Sequence, residues 1–239
     1  MAPSFLQEPN LSRQSDIMTD IADNLRRITA TLPAGVELCA VSKFHPVEAL
    51  REAYAAGQRC FGESRVQELL GKTAEMPADV RWHFIGHLQT NKVRPLIGRT
   101  AMIESVDSER LLQIIDAESL KAGVVTRVLL QLHVAAEETK FGFTPDEMLD
   151  YFRRRAFERL RATHLCGLMG MATNTDDTAR IDADFRLIAD TRRRILGLCP
   201  DLRGFDTLSM GMSGDYLRAV DAGSTLVRIG TDIFGPRQY

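Results

Sequence analysis

The chain has 239 residues, 44% of them hydrophobic, which is enough to bury a sizeable core and suits one complete α/β barrel domain. Its formal net charge is -2, so it lacks the strong basic field of a dedicated nucleic-acid-binding protein. A small-molecule role fits this balance better.

Cysteine use and hydropathy favour a reducing compartment. The cysteines stand far apart in the sequence and form no CxxC pair, so we expect neither a zinc cluster nor a redox motif. Three of them adjoin apolar runs, where buried free thiols are usual. No basic start precedes an apolar segment, and no stretch approaches a membrane-spanning length. We therefore expect a soluble, unexported, cytoplasmic protein with reduced thiols. The cysteines are Cys39, Cys60, Cys166 and Cys199.

The amino-terminal part divides into a loose segment and a helix. Residues 1–13 mix polar residues with Pro3 and Pro9, and we predict that they form a flexible tail. A helix from about Ser15 to Leu32 is predicted next, where it could cover the amino-terminal face of a barrel. Residues 14–239 contain no low-complexity tract or Pro/Gly-rich linker, so one barrel domain is expected over that range.

Eight short β-rich runs follow this helix, and each precedes a helical pattern. The runs are almost continuously apolar, as strands covered on both faces require. Such strands pair in parallel, so eight strand-helix units predict a closed (β/α)8 TIM barrel. The runs are residues 36–42, 59–62, 81–86, 102–106, 127–134, 165–171, 207–212 and 225–229.

Local signals place several helix boundaries between these strands. Pro46 suits the first turn of a helix. Ser108 can cap a helix that should stop at Gly123. The segment Thr144-Pro145-Asp146-Glu147 is a capping box, because the Thr hydroxyl and the Glu carboxylate can satisfy unpaired amides reciprocally. The helix that it opens is predicted to run to about Arg161.

Lys43 stands where the first predicted strand gives way to a loop, in Val41-Ser42-Lys43-Phe44-His45-Pro46. Functional residues of an α/β barrel gather at the carboxyl ends of its strands. A partly desolvated amine at such a position can lose its proton and form an imine with an aldehyde. Lys43 is therefore a candidate for covalent chemistry.

Small residues and hydroxyls follow the seventh and eighth predicted strands, in Ser213-Gly214-Asp215 and Arg228-Ile229-Gly230-Thr231. The loops after these strands form the usual phosphate site of such barrels, where hydroxyls and backbone amides bind phosphate oxygens. Ordinary capping between strand and helix is an equally open interpretation. Together with Lys43, a phosphate site would point to pyridoxal phosphate.

Arg228 precedes the predicted phosphate site by two residues, so its side chain could point toward a pyridine ring. A guanidinium stays protonated and would keep the ring nitrogen from gaining a proton, which makes the cofactor a weaker electron sink. The alternative is a salt bridge within the barrel mouth, to Asp232 or Glu63.

His83 and His87 could be mistaken for a metal-binding pair. On a strand that runs into a loop, a spacing of four does not bring two imidazoles together, and the sequence suggests no third ligand. We expect His83 to hydrogen-bond within the barrel mouth, and residues 89–92 to begin the next helix.

Six sequence blocks occur in an order and at a spacing that resemble one family. They are AVSKFHP, FGESRVQE, WHFIGHLQTNK, GLMGMA, LSMGMSGDY and VRIGTDIFG. The chain resembles the YggS-like pyridoxal phosphate homeostasis proteins, relatives of the barrel domain of alanine racemase. The resemblance spans most of the chain and implies an alanine racemase N-terminal-domain-like barrel with pyridoxal 5'-phosphate as its cofactor.

The resemblance also implies a cofactor-binding set. Lys43 would form the internal aldimine, and Arg228 would face the pyridine nitrogen. Ser213, Gly230 and Thr231 would hold the phosphate. The full set is Lys43, Ser64, Met212, Ser213, Arg228, Gly230 and Thr231.

Two members of this set stand close to the cofactor in the family pattern. Met212 is one, and Ser64 is the other, in a place where the family usually has asparagine. A hydroxyl makes fewer hydrogen bonds than an amide, so cofactor affinity or tautomer balance is expected to differ, although a bridging water could restore the contact.

The leading hypothesis from this resemblance is a carrier that buffers pyridoxal phosphate or delivers it to apo-enzymes. Racemisation by larger relatives needs a tyrosine base from an additional β-domain. This chain ends at Tyr239, just after the eighth strand, and Tyr216 is expected to pack at a helix start. The alternative is a one-base amino-acid racemase that uses Lys43 as imine partner and proton carrier.

Surface features suggest few other partners. The arginine runs at 153–155 and 192–194 fall in helical patterns and are interpreted as solvated faces, with nucleic-acid or protein binding as a lesser alternative. No exposed heptad or apolar stripe demands a partner, so a monomer is expected.

Overall fold

The computed structural model describes residues 20–136 and 141–236. The tail predicted over residues 1–13 lies outside the described residues, as do residues 15–19 of the predicted opening helix. The single-domain boundaries therefore stay a prediction at the amino-terminal end.

Eight parallel strands form a closed barrel in chain order, which confirms the predicted architecture. Each strand pairs with the next one, and β8 returns to β1, where Cys39 lies opposite Arg228. The strands are β1 Glu37–Val41, β2 Cys60–Glu63, β3 Arg81–Phe84, β4 Met102–Val106, β5 Thr126–Leu132, β6 Thr163–Gly170, β7 Thr207–Ser209 and β8 Leu226–Ile229.

Helices cover the outside of the barrel. Within the described ranges they are α1 Ile21–Thr31, α2 Val47–Ala55, α3 Val66–Glu75, α4 Glu109–Ala122, α5 Pro145–Arg153, α6 Thr178–Leu198, α7 Tyr216–Asp221 and α8 Thr231–Phe234. Three 3-10 turns lie at Thr90–Lys92, Arg94–Leu96 and Ala156–Arg159. None of these helices has both the length and the apolar character needed to cross a bilayer.

The predicted capping signals are confirmed. Ser108 accepts a hydrogen bond from the Leu111 amide, and Gly123 ends α4 in the left-handed conformation with φ 69°. Thr144 and Glu147 form both hydrogen bonds of the capping box at the start of α5.

Two predicted helix extents are wrong. Helix α5 ends at Arg153 instead of about Arg161, because Arg155 adopts a left-handed φ of 50° and the chain continues as a 3-10 turn. The segment 89–92 does not begin an α-helix, because Thr90–Lys92 form a 3-10 turn. Pro95 follows closely, lacks an amide hydrogen and disfavours an α conformation at the residue before it.

Both arginine runs lie on helices or their ends and make ion pairs with neighbouring acids. Such pairs satisfy the guanidinium groups at the surface and contribute little stability when exposed. The pairs are Arg154 with Glu109 and Asp150, Arg155 with Glu158 and Asp201, and Arg193 with Asp190.

Side chains alternate between the inside and the outside of each strand, and the inward set fills the barrel. A small apolar cluster forms inside, separate from the large core between strands and helices. Its members are Cys39, Cys60, Met102, Leu129, Cys166, Met169 and Leu226.

Candidate functional site at the carboxyl end of the barrel

A cavity of about 240 Å³ opens at the carboxyl ends of the strands. Part of its wall consists of the apolar side chains of Val41, Ile85, Met169 and Met171. Six of the seven residues predicted from the sequence line it, because parallel strands deliver their loops to one end of the barrel. These six are Lys43, Met212, Ser213, Arg228, Gly230 and Thr231.

Ser64, the seventh predicted residue, lines a neighbouring cavity of about 310 Å³ together with Phe84 and His87. The backbone there is tightly packed, since a Cβ built on Gly86 would lie 2.2 Å from the Ser64 carbonyl oxygen. A role for Ser64 beside the cofactor stays a prediction.

A buried lysine supports the turn that carries Lys43. Lys72 Nζ donates to the carbonyl oxygen of Ser42 at 2.8 Å, and to Oε1 of both Glu63 and Glu68 at 2.7 Å. Ser42 Oγ also donates to Glu63 Oε1 at 2.6 Å. Burial raises the pKa of Glu63, whereas the Lys72 charge and hydrogen bonds from Lys72 and Ser42 act to lower it. The network ties the end of β1 to β2 and α3.

The next residue, Phe44, adopts a left-handed φ of 68°, which costs energy for a residue with a side chain. Its amide donates to Glu68 Oε1 at 2.6 Å, and the Arg65 guanidinium lies 4.6 Å from its ring centroid. Glu68 thus stabilises the strained turn immediately after Lys43.

Sequence reasoning missed this network. A signal was present, because Lys72 occupies the apolar stripe of α3 beside the buried Leu69, and Glu68 precedes it by four residues. A lysine at a position facing the core implies a buried acidic partner.

Arg228 is 4% exposed and reaches the cavity from inside the barrel. Its guanidinium donates to Ser209 Oγ and to the carbonyl oxygen of Gly170, the latter at 3.0 Å. Within the described ranges its acidic neighbour is Glu104, at 3.7 Å, and neither of the two carboxylates suggested by the sequence.

Glu104 is the centre of a buried polar network below the cavity. Its Oε1 lies 2.6 Å from His83 Nδ1, and its Oε2 accepts a hydrogen bond from Ser209 Oγ at 2.5 Å. Burial would raise the pKa of Glu104, but the hydrogen bond and charge of His83 and the charge of Arg228 hold it below its usual value. An ionised Glu104 keeps a negative charge beside Arg228.

The two histidines of the third block have separate surroundings. His83 lies inside the barrel against Glu104, so its predicted place at the mouth is wrong; the pleat of β3 turns its side chain inward. His87 contacts Asp107 at 2.9 Å and stacks on the Phe141 ring, with ring centroids 3.8 Å apart.

Glycines shape the part of the cavity wall formed by the loops after β7 and β8. Gly211 has φ 92°, and a Cβ there would lie 2.7 Å from Ala219. The amide of Met212 is already bonded to Asp215 Oδ1 at 2.6 Å. Ser213 follows on the cavity wall. Gly230 lets the end of β8 approach β1, since a Cβ added at this position would lie 3.0 Å from the Val41 carbonyl oxygen.

Tyr216 packs away from the cavity, as its predicted role requires. Its hydroxyl lies 3.0 Å from Thr31 Oγ1 on α1. Among the described residues, no tyrosine lines the cavity.

The donor set fits a phosphorylated aromatic aldehyde. Lys43 supplies a primary amine, and Ser213 and Thr231 supply hydroxyls beside glycine-rich backbone. Arg228 supplies a cation that can face a ring nitrogen, while the sulfur and aliphatic side chains suit the faces of a ring.

Comparisons with known proteins agree with this geometry. The family "Alanine racemase, N-terminal domain" matches residues 18–238. The chain is 40% identical to a "Pyridoxal phosphate homeostasis protein" of Pseudomonas aeruginosa, over 93% of this chain and 98% of that protein. It is 37% identical to a protein of the same description from Vibrio alginolyticus, over 93% of this chain and all of that protein.

Solved structures of PipY from Synechococcus elongatus PCC7942 have the same fold. The form without PLP superposes with a TM-score of 0.86, and the form with PLP bound with 0.81. Both are 37% identical to this chain and cover 90% of it and all of PipY.

Proposed function

Because the chain belongs to the pyridoxal phosphate homeostasis protein family, we propose that it binds pyridoxal 5'-phosphate through Lys43 and buffers or delivers the cofactor. The observation that carries this proposal is the convergence of Lys43, Ser213, Thr231 and Arg228 on one cavity.

Each side chain of the cavity has a distinct task. The bound cofactor supplies an electrophilic aldehyde. Lys43 Nζ bonds to its carbon, and the aldehyde oxygen leaves as water. Ser213, Gly230 and Thr231 hold the phosphate with hydroxyls and close backbone. Met212, 40% exposed at the rim, shields the cofactor from solvent.

Arg228 suits storage of the cofactor more than catalysis. A permanently charged guanidinium beside the pyridine nitrogen disfavours protonation of that nitrogen, and Glu104 behind it supports the charge. An unprotonated ring is a weaker electron sink. We infer a cytoplasmic, monomeric carrier that supplies pyridoxal-phosphate-dependent apo-enzymes.

The function is tested with purified protein loaded with pyridoxal phosphate. A visible absorbance band that borohydride abolishes, with the reduced cofactor mapped to the Lys43 peptide, is expected. Loaded protein should then activate an apo-enzyme that uses this cofactor, without racemising free amino acids. Amino-acid turnover would instead favour a one-base racemase, and absence of any band would contradict the proposal.

Loss of the hydroxyls of Ser213 and Thr231 should weaken binding of the phosphate in particular. A hydrogen bond to a charged group contributes about 1.5–3 kcal/mol, so the Ser213→Ala, Thr231→Ala double variant should bind pyridoxal phosphate at least about tenfold more weakly. Binding of pyridoxal, which lacks the phosphate, should change little.

Equilibrium titration of both ligands measures this difference. Thr29→Ala, an exposed hydroxyl on α1, is the matched control and should bind as the unmodified chain does. Equal weakening of pyridoxal and pyridoxal phosphate would assign the two hydroxyls to something other than the phosphate.

Glu68→Ala should loosen the turn that carries Lys43. The variant removes the acceptor of the Phe44 amide, at a residue with strained φ, while Lys72 keeps Glu63 as a partner. A lost charge-assisted hydrogen bond of about 1.5–3 kcal/mol predicts a dissociation constant for pyridoxal phosphate at least about tenfold higher.

The control for this variant is Glu75→Ala, at the end of the same helix, whose carboxylate lies 3.9 Å from Arg51 in an exposed pair. Spectroscopic titration compares the two variants. If Glu68→Ala binds the cofactor as tightly as Glu75→Ala, the network does not position Lys43.

A further inference from the structure

Two cysteines and a histidine converge inside the barrel, although they are far apart in sequence. The Sγ atoms of Cys39 and Cys60 and a ring nitrogen of His83 all lie within 4.8 Å of one another. The residues come from the neighbouring strands β1, β2 and β3, and all three are buried. The expectation of no zinc cluster rested on the spacing of the cysteines in the sequence, which does not show this convergence because strand register was unknown.

The imidazole of His83 is already oriented as in metal sites. Its Nδ1 lies 2.6 Å from Glu104 Oε1, which leaves Nε2 as the nitrogen that can bind a metal ion. Ser209 in turn donates to the other oxygen of Glu104 at 2.5 Å. Carboxylates held in this way commonly orient metal-binding histidines and increase their basicity.

We propose that Cys39, Cys60 and His83 bind a divalent ion of the zinc class, with water as the fourth ligand. Thiolates and imidazole are the ligands that zinc prefers, and three protein ligands with one solvent ligand form a familiar tetrahedral arrangement. Bond lengths of about 2.3 Å to sulfur and 2.0–2.1 Å to nitrogen require ligand atoms about 3.5–3.8 Å apart. The three atoms now lie within 4.8 Å of one another, so binding the ion would require side-chain rotations that bring them about 1 Å closer.

A second cavity reaches this cluster at His83, although Cys39 and Cys60 do not line it. It measures about 580 Å³, lies at the amino ends of the strands and is lined by His83. Charged side chains surround it, among them Glu37, Arg81 and Asp206. The ion and its water would enter from this end, opposite the cavity of Lys43, and the protons of the thiols and imidazole would leave by the same route.

The experiment uses the full chain, reduced and stripped of metal, without added cofactor. Anaerobic titration with Co²⁺ should give a thiolate charge-transfer band and the intense visible bands of tetrahedral Co²⁺, saturating at one ion per chain. Added Zn²⁺ should bleach these bands. Cys39→Ala, Cys60→Ala and His83→Gln should each lower Co²⁺ affinity by at least about tenfold, since losing even a hydrogen-bond partner of a metal ligand typically costs about 10–100-fold in affinity.

Cys166→Ala is the matched control, because Cys166 is also buried inside the barrel but lies outside the cluster. Circular dichroism shows which variants fold, and any one folded cluster variant decides the test. Weak octahedral Co²⁺ bands, or equal affinity in Cys166→Ala and the cluster variants, would overturn the proposal. The proposal would also be overturned if Cys39 and Cys60 form a disulfide rapidly in air and the reduced protein shows no tetrahedral Co²⁺ bands in the anaerobic titration.

Discussion

Replacing Lys43 with alanine is expected to abolish covalent attachment of pyridoxal phosphate. The residue lies two positions beyond the end of β1, and its side chain lines the cavity that contains Ser213, Thr231 and Arg228. Alanine retains no amine that could bond to the aldehyde carbon. Borohydride reduction followed by mass spectrometry should therefore show stoichiometric labelling of the unmodified chain and background labelling of the variant.

The variant should keep its fold, because the Lys43 side chain is half-buried in a turn outside the filled barrel interior. Its free energy of unfolding should change by about 0.5 kcal/mol or less. Lys121→Ala, which removes an exposed lysine from α4, should leave labelling unchanged. Full labelling of Lys43→Ala at another lysine would reject the assignment.

The sequence predicts the barrel well for a physical reason. Strands buried on both faces must be apolar along their whole length, so each of the eight runs stands out against the amphipathic helices between them. Helix boundaries could also be predicted where a nearby side chain satisfies the unpaired backbone groups, as Ser108 and Thr144 do. The end of α5 could not be predicted from local signals. Arg155 adopts a left-handed conformation there and forms ion pairs with Glu158 and with Asp201, which is distant in sequence.

The candidate site likewise has a part that the sequence predicts and a part that it does not. Lys43, Ser213 and Thr231 could be placed together because parallel strands bring their carboxyl ends to one face. The network that supports the Lys43 turn could not be predicted, because Lys72 and Ser42, which are hydrogen-bonded in it, are 30 positions apart in the sequence. Contacts of that range depend on how a helix packs on the barrel, which periodicity does not give.

The polar network inside the barrel depends on register in a similar way. The alternative interpretation paired Arg228 with Asp232 or Glu63 at the mouth, but the inward pleat of β8 directs it to Glu104 on β4 and Ser209 on β7. The partner of a buried charge follows from which residues share a layer of the barrel. That layer is set by the stagger of the strands, and sequence runs determine strand ends only to within a few residues.

Glu104→Gln is expected to destabilise the fold by about 3–5 kcal/mol, the usual effect of removing one partner from a buried ion pair. Glu104 is fully buried, contacts His83 at 2.6 Å and lies 3.7 Å from Arg228. Glutamine keeps the shape, so no cavity forms, but the charge of Arg228 loses its buried counterion. Denaturant unfolding of the cofactor-free protein measures the loss.

A second substitution separates the charge effect from packing. Glu118→Gln breaks an exposed pair with Lys121, 2.6 Å long, and should cost less than about 1 kcal/mol. Arg228→Met should cost less in the Glu104→Gln background than alone, by about 0.5–3 kcal/mol, because the partner charge is already absent. Strictly additive losses would mean that Glu104 and Arg228 do not stabilise each other. The charge of Arg228 at the cofactor cavity would then be stabilised by its hydrogen bonds to the Ser209 hydroxyl and the Gly170 carbonyl, and not by Glu104.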